Sequence, residues 1–433
     1  MIFVFYFFAA GSVFLGYKSL RGGINYLAFF KKELAKPKSN YTPFCSIIVP
    51  CRGLDEGLRE NLFALFRQDF PSYEILFVVD DKRDKAVKII EEVSRQDAKA
   101  QRKINRNGQN LQVRKSEKNF APLRLGGSNS VSTKLVIAGM AKDEGQKVHN
   151  LRQAVLEVSG KSEVFVLVDS DVRPNKNWLG NLIAPLQDEN VGAATGYRWF
   201  ISKKGGFSTE LRSVWNASIA SALGAKTNNN FCWGGSTAIR RDVFEKLDMR
   251  ERLKGTLSDD FAVTRALKEA RLPIYFVPQC LTASIEDCTF GELLEFTTRQ
   301  MKITCVYAPN LWKASFIGSF FFTAIFWTDF ILLFLLAGWH FWLTLAFLSA
   351  IFALGVGKAR LRLTAVKLVL KNYESQLNKS LLPHLTLWTI TPVIYFYNCL
   401  CAFFSNQICW RGITYKLKSP NETVILQSNT RKK

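Results

Sequence analysis

Three pairs of aspartates in this chain of 433 residues have types and spacing that suit chemistry. Asp80 and Asp81 end the apolar run "EILFVV", Asp169 and Asp171 follow "VFVLV", and Asp259 and Asp260 follow Ser258 ahead of "FAVTRALKEA". Taken singly, each has a structural reading. An aspartate after a strand makes an Asx-turn, and "SDD" before a helix is a good cap whose charges favour the helix dipole. Three such sites in one region point to function instead. The nine cysteines form no CxxC pair and the three histidines are scattered, so nothing has zinc-ligand spacing. Paired carboxylates without soft ligands suit a hard divalent cation, Mn²⁺ or Mg²⁺. Such a cation keeps positions open for a diphosphate, and a further carboxylate can take a proton from an attacking hydroxyl. Lys147, in "GQKVHNL", reads either as a point charge for that diphosphate or as a solvated lysine at a helix start.

The elements that must position these groups alternate. "FCSIIVPCRG" reads strand then loop, "LRENLFALFRQ" helix, and "YEILFVVDDK" strand, followed by a charged helical run from Lys82 to about Lys103. "TKLVIAG" is a third strand, "KVHNLRQAVLEVS" a helix and "VFVLVDSD" a fourth strand. Continuous apolar strands alternating with helices predict a mostly parallel sheet covered on both faces. Ligands of such sheets bind at the carboxyl ends of the strands, which is where two of the aspartate pairs fall. A polar, basic insertion at 104–132 interrupts the pattern. A loop of that length is functional or disordered, and the expectation is disorder or skimming along a membrane.

Lys and Arg outnumber Asp and Glu by 58 to 36, a net charge of +22 that calls for an anionic partner. Hydropathy assigns that partner to a membrane surface rather than nucleic acid. Residues 1–17 carry no charge, Asp329 is the only formal charge within 314–357, and 382–408 is again apolar. A span needs about 20 apolar residues, which predicts one N-terminal helix (1–20), two helices within 314–357 and a last one within 382–408. The basic flank of the first segment follows it, which favours an anchor over a cleaved signal peptide. By the positive-inside tendency, residues 18–313 and the basic segment 358–371 then face the cytoplasm. The basic tail, 409–433, does not fit that pattern if the last segment crosses fully; the alternative is that this segment re-enters without crossing.

The ordered motifs "IIVPCRG", "YEILFVVDD", "GQKVHNL", "VLVDSD", "GGSTAIRRDVF", "LSDDFAV" and "RQMKI" resemble the membrane-bound family-2 glycosyltransferases of GT-A fold, closest to their ceramide glucosyltransferase-like branch. The resemblance runs from about Phe44 to Leu311, and "WRGITYKL" in the tail adds to it. It implies that Asp81 contacts the uracil base, that Asp169 and Asp171 form the nucleotide- and metal-facing Asp-x-Asp, and that Asp260 is the general base. It further implies that Lys147, Arg299 and Lys302 hold the diphosphate, and that Gly234 and Gly235 lie in the acceptor-side loop. One departure is visible. Where the family has (Q/R)xxRW, this chain has Arg299, Gln300, Met301, Lys302, Ile303, so the tryptophan beside the acceptor is missing.

The expectation is therefore a cytoplasm-facing GT-A domain (40–313), an α/β Rossmann-like sheet between an N-terminal and about three C-terminal transmembrane helices (314–408). It would transfer a single sugar from a UDP-sugar, UDP-glucose first, to a lipid hydroxyl such as that of ceramide, diacylglycerol or a hopanoid. Residues 289–313 read as an interfacial helix that admits the lipid or as a connector packed on the domain. A processive polysaccharide synthase shares the acidic motifs but should carry the missing tryptophan. A nucleotide-sugar sensor would need no general base.

Overall fold

The structure, a computed structural model, describes residues 2–97 and 130–428. The insertion expected at 104–132 lies outside the described residues up to 129, and its last three residues already belong to a strand. Two compact units divide the chain. A sheet unit comprises Pro37–Gly196 and Phe231–Thr282, and a helical unit comprises Met1–Lys36, Tyr197–Asn230 and Ala283–Lys433.

In the sheet unit, the four runs read as strands are β1 (Cys45–Pro50), β2 (Ser72–Val79), β3 (Ser130–Ile137) and β4 (Val164–Leu167). They pair in parallel in the order β3–β2–β1–β4, with Ile47 of β1 opposite both Ile75 and Val166. Strands β1, β2 and β4 are buried and largely apolar because helices cover them, whereas β3 at the sheet edge is polar in its first half and mostly exposed apart from Val136. Ile48, Leu76, Val78 and Leu167 form one buried cluster with Leu151 and Ala154 of the helix Gln146–Ala154. Three more strands, β5 (Ala193–Ile201), β6 (Thr237–Arg240) and β7 (Ile274–Ile285), complete the order β3–β2–β1–β4–β6–β5–β7. Strand β6 runs antiparallel to β4 and β5, so the sheet is mixed but mostly parallel. From Tyr197 and Ala283 onward, β5 and β7 run into the helical unit.

The helical unit holds the apolar segments. The first continues past residue 17 as one helix, Ile2–Leu34; the pair expected within 314–357 is Pro309–Leu332 and Gly338–Val369. These three are long and apolar enough to cross a membrane. The last apolar region is broken: Leu381–Thr389 and Thr391–Phe404 meet at 54°, a geometry that serves a broken span or a re-entrant loop. Helices Ile2–Leu34 and Gly338–Val369 approach closely at small residues. Gly16 lies against Leu354, Gly23 against Lys358 and Leu361, and Gly357 against Leu20.

The helix Phe290–Tyr307 begins with a capping box. Thr289 Oγ1 accepts from the Glu292 N–H at 3.3 Å, and Glu292 Oε2 accepts from the Thr289 N–H at 2.8 Å. Its Leu293 and Met301 are buried against Trp215, Ile394, Cys399 and Ala402, so residues 289–307 form a helix packed on the helical unit. The described part of the basic tail is a small sheet. Strands β8 (Gln407–Trp410), β9 (Ile413–Ser419) and β10 (Glu422–Ser428) form an antiparallel sheet. Its first hairpin turns on Arg411 and Gly412, both at positive φ (48° and 76°), as a two-residue hairpin loop requires.

Candidate active site

The carboxyl ends of the parallel strands carry the acidic residues, and Lys147 joins them. Asp169 follows β4, Lys147 opens the helix after β3, and Asp259 opens the helix Asp259–Glu269. Lys147 Nζ lies 2.7 Å from Asp169 Oδ1 and 3.1 Å from Asp259 Oδ2. Burial pulls the lysine pKa down, but Asp169, Asp259 and Asp260 outweigh it and hold the ammonium well above its ordinary range. Asp259 is 3% exposed, and burial, with repulsion from Asp260 and Asp169 and against the pull of Lys147, pushes its carboxyl up to about 6.

The backbone that delivers Lys147 is itself tied to the segment that delivers the third pair. The Gly145 N–H donates to Thr256 O at 2.8 Å, and a methyl at Gly145 would meet Leu257 O at the same distance. The buried Glu144 receives the Gly255 N–H (3.2 Å), Arg152 Nη1 (2.9 Å) and His149 Nδ1 (2.8 Å). Burial raises the Glu144 pKa, but these partners prevail and lower it, so the knot stays charged.

Asp260 is half-buried beside this cluster. One of its oxygens, Oδ1, accepts from Ser258 Oγ and from the Phe261 N–H; Oδ2 makes no hydrogen bond among the described residues. The carboxylate is thus held by one oxygen and presents the other.

The glycines are explained by side chains. A methyl on Gly234 would fall within 2.5 Å of Lys147 Nζ and closer still to Asp259 Oδ2, while one on Gly235 would strike the Trp233 ring. The resemblance places these glycines in the acceptor-side loop. In the fold, they make room for the Lys147–Asp259 pair and for an indole. Their loop is fixed by the Trp233 N–H to Thr195 Oγ1 (3.0 Å) and the Cys232 N–H to Thr264 Oγ1 (2.9 Å).

Asp81 does not join the lysine cluster. It turns to Arg83, whose guanidinium and backbone N–H hold it at about 2, and it is partly exposed at the end of β2. Its neighbour Asp80 is the buried one and pairs with Arg52 after β1. Asp171 sits partly buried two residues after Asp169, on a loop braced by Ser170 Oγ to Asp55 (2.6 Å) and Asn61 Nδ2 to Ser170 O (3.2 Å). Among the described residues, no group of three or more His, Cys, Asp or Glu could hold a metal. Two carboxylates with oxygen donors only are nonetheless the ordinary protein share of a Mg²⁺ site completed by phosphates. Asp169 gives one oxygen to Lys147, so that share falls first to Asp171.

Arg299 and Lys302 belong to the helical unit, on the helix Phe290–Tyr307. Lys302 Nζ donates to Gln407 O of β8 at 2.8 Å, which gives it a structural tie. The Arg299 guanidinium lies 5.7 Å from the Phe296 ring and 5.6 Å from Trp410. Burial, with the nearby Arg198 and Arg411, pulls its pKa down to about 10 against Glu295. Ile303, which stands where the family has tryptophan, is 6% exposed and part of the core. The aromatic rings beside this motif therefore come from Phe296 on the same helix and from Trp410 on the β8–β9 hairpin. "WRGITYKL" was the signal for it, but spacing in sequence could not place Trp410 against Arg299. Asp259 was likewise overlooked as a site residue in favour of Asp260.

A mostly parallel α/β sheet with aspartate pairs at its carboxyl edge and a lysine between them is the arrangement expected of a GT-A domain. The profile of glycosyl transferase family 21 matches residues 12–114 and 129–423, and the chain belongs to that family. Among solved structures it is similar to a mannosyltransferase from Pyrobaculum calidifontis in complex with GDP-Man and Mn²⁺ (14% identity, TM-score 0.42, 92% of this chain and 98% of that one). It is also similar to TarS residues 1–349 of S. aureus (14% identity, TM-score 0.33, 82% and 91%). A third likeness is to glucosyl-3-phosphoglycerate synthase of Mycobacterium tuberculosis with Mn²⁺ and UDP-glucose (13% identity, TM-score 0.32, 64% and 82%). Similarity at this level carries no argument about function.

Proposed function

We propose that this family-21 glycosyltransferase is an inverting enzyme that moves one glucose from UDP-glucose to the hydroxyl of a membrane lipid such as ceramide, diacylglycerol or a hopanoid. The reaction would take place at a cytoplasmic face, in the domain 40–313 between apolar helices. The observation that carries this reading is the convergence of Lys147, Asp169 and Asp259 from three separated segments, with Asp260 presenting an open oxygen beside them.

Asp260 Oδ2 takes the proton of the acceptor hydroxyl as the hydroxyl oxygen bonds to the anomeric carbon. The bond from that carbon to the UDP oxygen breaks in the same step, its electron pair leaves with UDP, and the configuration inverts. Lys147 faces the charge that grows on the diphosphate, the duty that the resemblance also gives to Arg299 and Lys302. Asp81 and Asp169 orient the nucleotide. Asp171 and Asp169 would hold Mn²⁺ or Mg²⁺, which supplies neutralisation of the leaving diphosphate. Asp259 acts by positioning Lys147, and Gly234 keeps the space they share.

A processive polysaccharide synthase is the second reading, and Trp410 favours it by placing an aromatic ring beside Arg299. The test incubates purified full-length protein in detergent with Mn²⁺ or Mg²⁺, radiolabelled UDP-sugars and a total lipid extract. Label in one discrete lipid is expected, and Asp260→Asn should lose about 10²–10⁴-fold of the rate while still binding UDP. Label in a polymer would replace the single-transfer reading. UDP binding without any transfer would leave a nucleotide-sugar sensor.

A further inference from the structure

Arg362, in the helix Gly338–Val369, is 5% exposed, and its Nε has no hydrogen-bond partner among the described residues. The groups acting on it electrostatically are the Tyr26 and Tyr395 phenols, Lys358 and His384, none of them a carboxylate. Burying a guanidinium without a counter-charge is costly. Three further polar atoms of the same unit are buried without partners among the described residues. They are Tyr26 Oη and His384 Nδ1, whose residues act on Arg362 electrostatically, and Trp199 Nε1, whose ring stacks on His384. All four residues belong to the helical unit and come from separate elements.

Packing explains why they meet. The contact of Gly23 with Lys358 and Leu361 brings Tyr26, one turn further along, to the level of Arg362. His384 stacks on Trp199 with ring centroids 5.4 Å apart, and its Nε2 lies 3.3 Å from Ser213 Oγ. Ser213 donates its own proton to Phe200 O at 2.8 Å, so it accepts from Nε2–H, and His384 Nδ1 keeps a bare lone pair. The set thus offers donors from Arg362, Tyr26 and Trp199 and one acceptor on His384. A singly protonated phosphate monoester matches it, with charged oxygens for the donors and a P–OH for the histidine.

Depth supplies a second argument. The apolar run ends at Gly357, and Arg362 lies five residues, about 7 Å, beyond it along the helix. The headgroup layer of a bilayer is about 5–8 Å thick on each side, so Arg362 stands at the level of lipid phosphates.

We propose that Arg362, Tyr26, Trp199 and His384 form a binding site for the phosphate group of a membrane lipid, distinct from the acceptor hydroxyl. The site goes beyond the proposed transfer reaction, and its test reads no sugar transfer, so either can fail alone.

Lipid-stripped full-length protein in maltoside detergent is titrated with fluorescent phosphatidic acid, and its lipid-free Tm is recorded. Arg362→Met should weaken binding at least tenfold, Arg362→Lys should weaken it less, and the lipid-free Tm of Arg362→Met should equal or exceed that of the unmodified protein. Displacement by inorganic phosphate would show that the phosphate alone suffices. Displacement only by unlabelled phosphatidic acid would assign the site to lipid-borne phosphate. Unchanged affinity in Arg362→Met, equal competition by diacylglycerol, or competition by UDP would each overturn the proposal. So would a lowered lipid-free Tm, since the guanidinium would then be serving protein groups.

Discussion

At the scale of the residue, the site is a crowd of carboxylates around one ammonium, and the crowding has a measurable consequence. Asp259 holds its proton up to about pH 6 because burial and the charges of Asp260 and Asp169 outweigh Lys147. A carboxyl whose pKa is raised on folding lends stability that is complete below its unfolded value, near 4, and is lost as pH climbs through about 6. Asp259→Asn keeps the neutral shape at every pH. Its detergent-solubilised Tm should therefore match the unmodified protein near pH 4 and exceed it at pH 8, by the equivalent of about 1–3 kcal/mol. Transfer activity should fall in the same variant, since Lys147 loses a partner that sets its position. A lower Tm at pH 8 would show that the ion pair, not the crowding, dominates. The sequence displayed the three acidic pairs but could not say which member of each turns inward. Asp80 is buried where Asp81 was favoured, and Asp259 meets the lysine where Asp260 drew attention. Adjacent residues at a strand end or helix start point in different directions, and only the tertiary fold selects between them.

At the scale of the element, periodicity was a good guide where burial was uniform. The apolar runs around Ile47, Ile75 and Val166 could be read as parallel strands because both faces of each are covered. The tail was less legible. A basic stretch after the last apolar region becomes strands β8–β10, and its value to the site lies in a long-range contact between Trp410 and Arg299. The break near Ile390 is only half legible, because 382–408 is as apolar as a continuous span and the signs against one are Pro392 and the basic tail that favoured a re-entrant reading. The helix that carries Arg299 depends on its cap. Thr289→Ala removes the acceptor for the Glu292 N–H and should weaken the first turn by about 1 kcal/mol. Amide exchange at Glu292 and Leu293 should speed up about fivefold, with little change at Met301. Uniform acceleration along the helix would mean that the cap governs the whole element.

At the scale of the molecule, the net charge of +22 and the apolar helices fit one account, a basic protein beside an anionic surface. The helical unit relies on close backbone approach, and Gly23→Leu tests it directly. The added side chain meets Lys358 and Leu361, and overpacking of this kind costs about 1–3 kcal/mol. The Tm of the detergent-solubilised protein should drop, whereas Gly11→Leu, with nothing within 4 Å of its position, should leave it unchanged. An equal drop in both would point to helix propensity rather than packing. The partnership of these two helices also has a history in time. Helix Ile2–Leu34 leaves the ribosome about 300 residues before Gly338–Val369, which at about 5–20 residues per second is a wait of roughly 15–60 s. For that interval the face bearing Gly16 and Gly23 has no native mate. A nascent chain stalled in this window would be a natural client for a membrane chaperone, and the first helix is where such a client would be held.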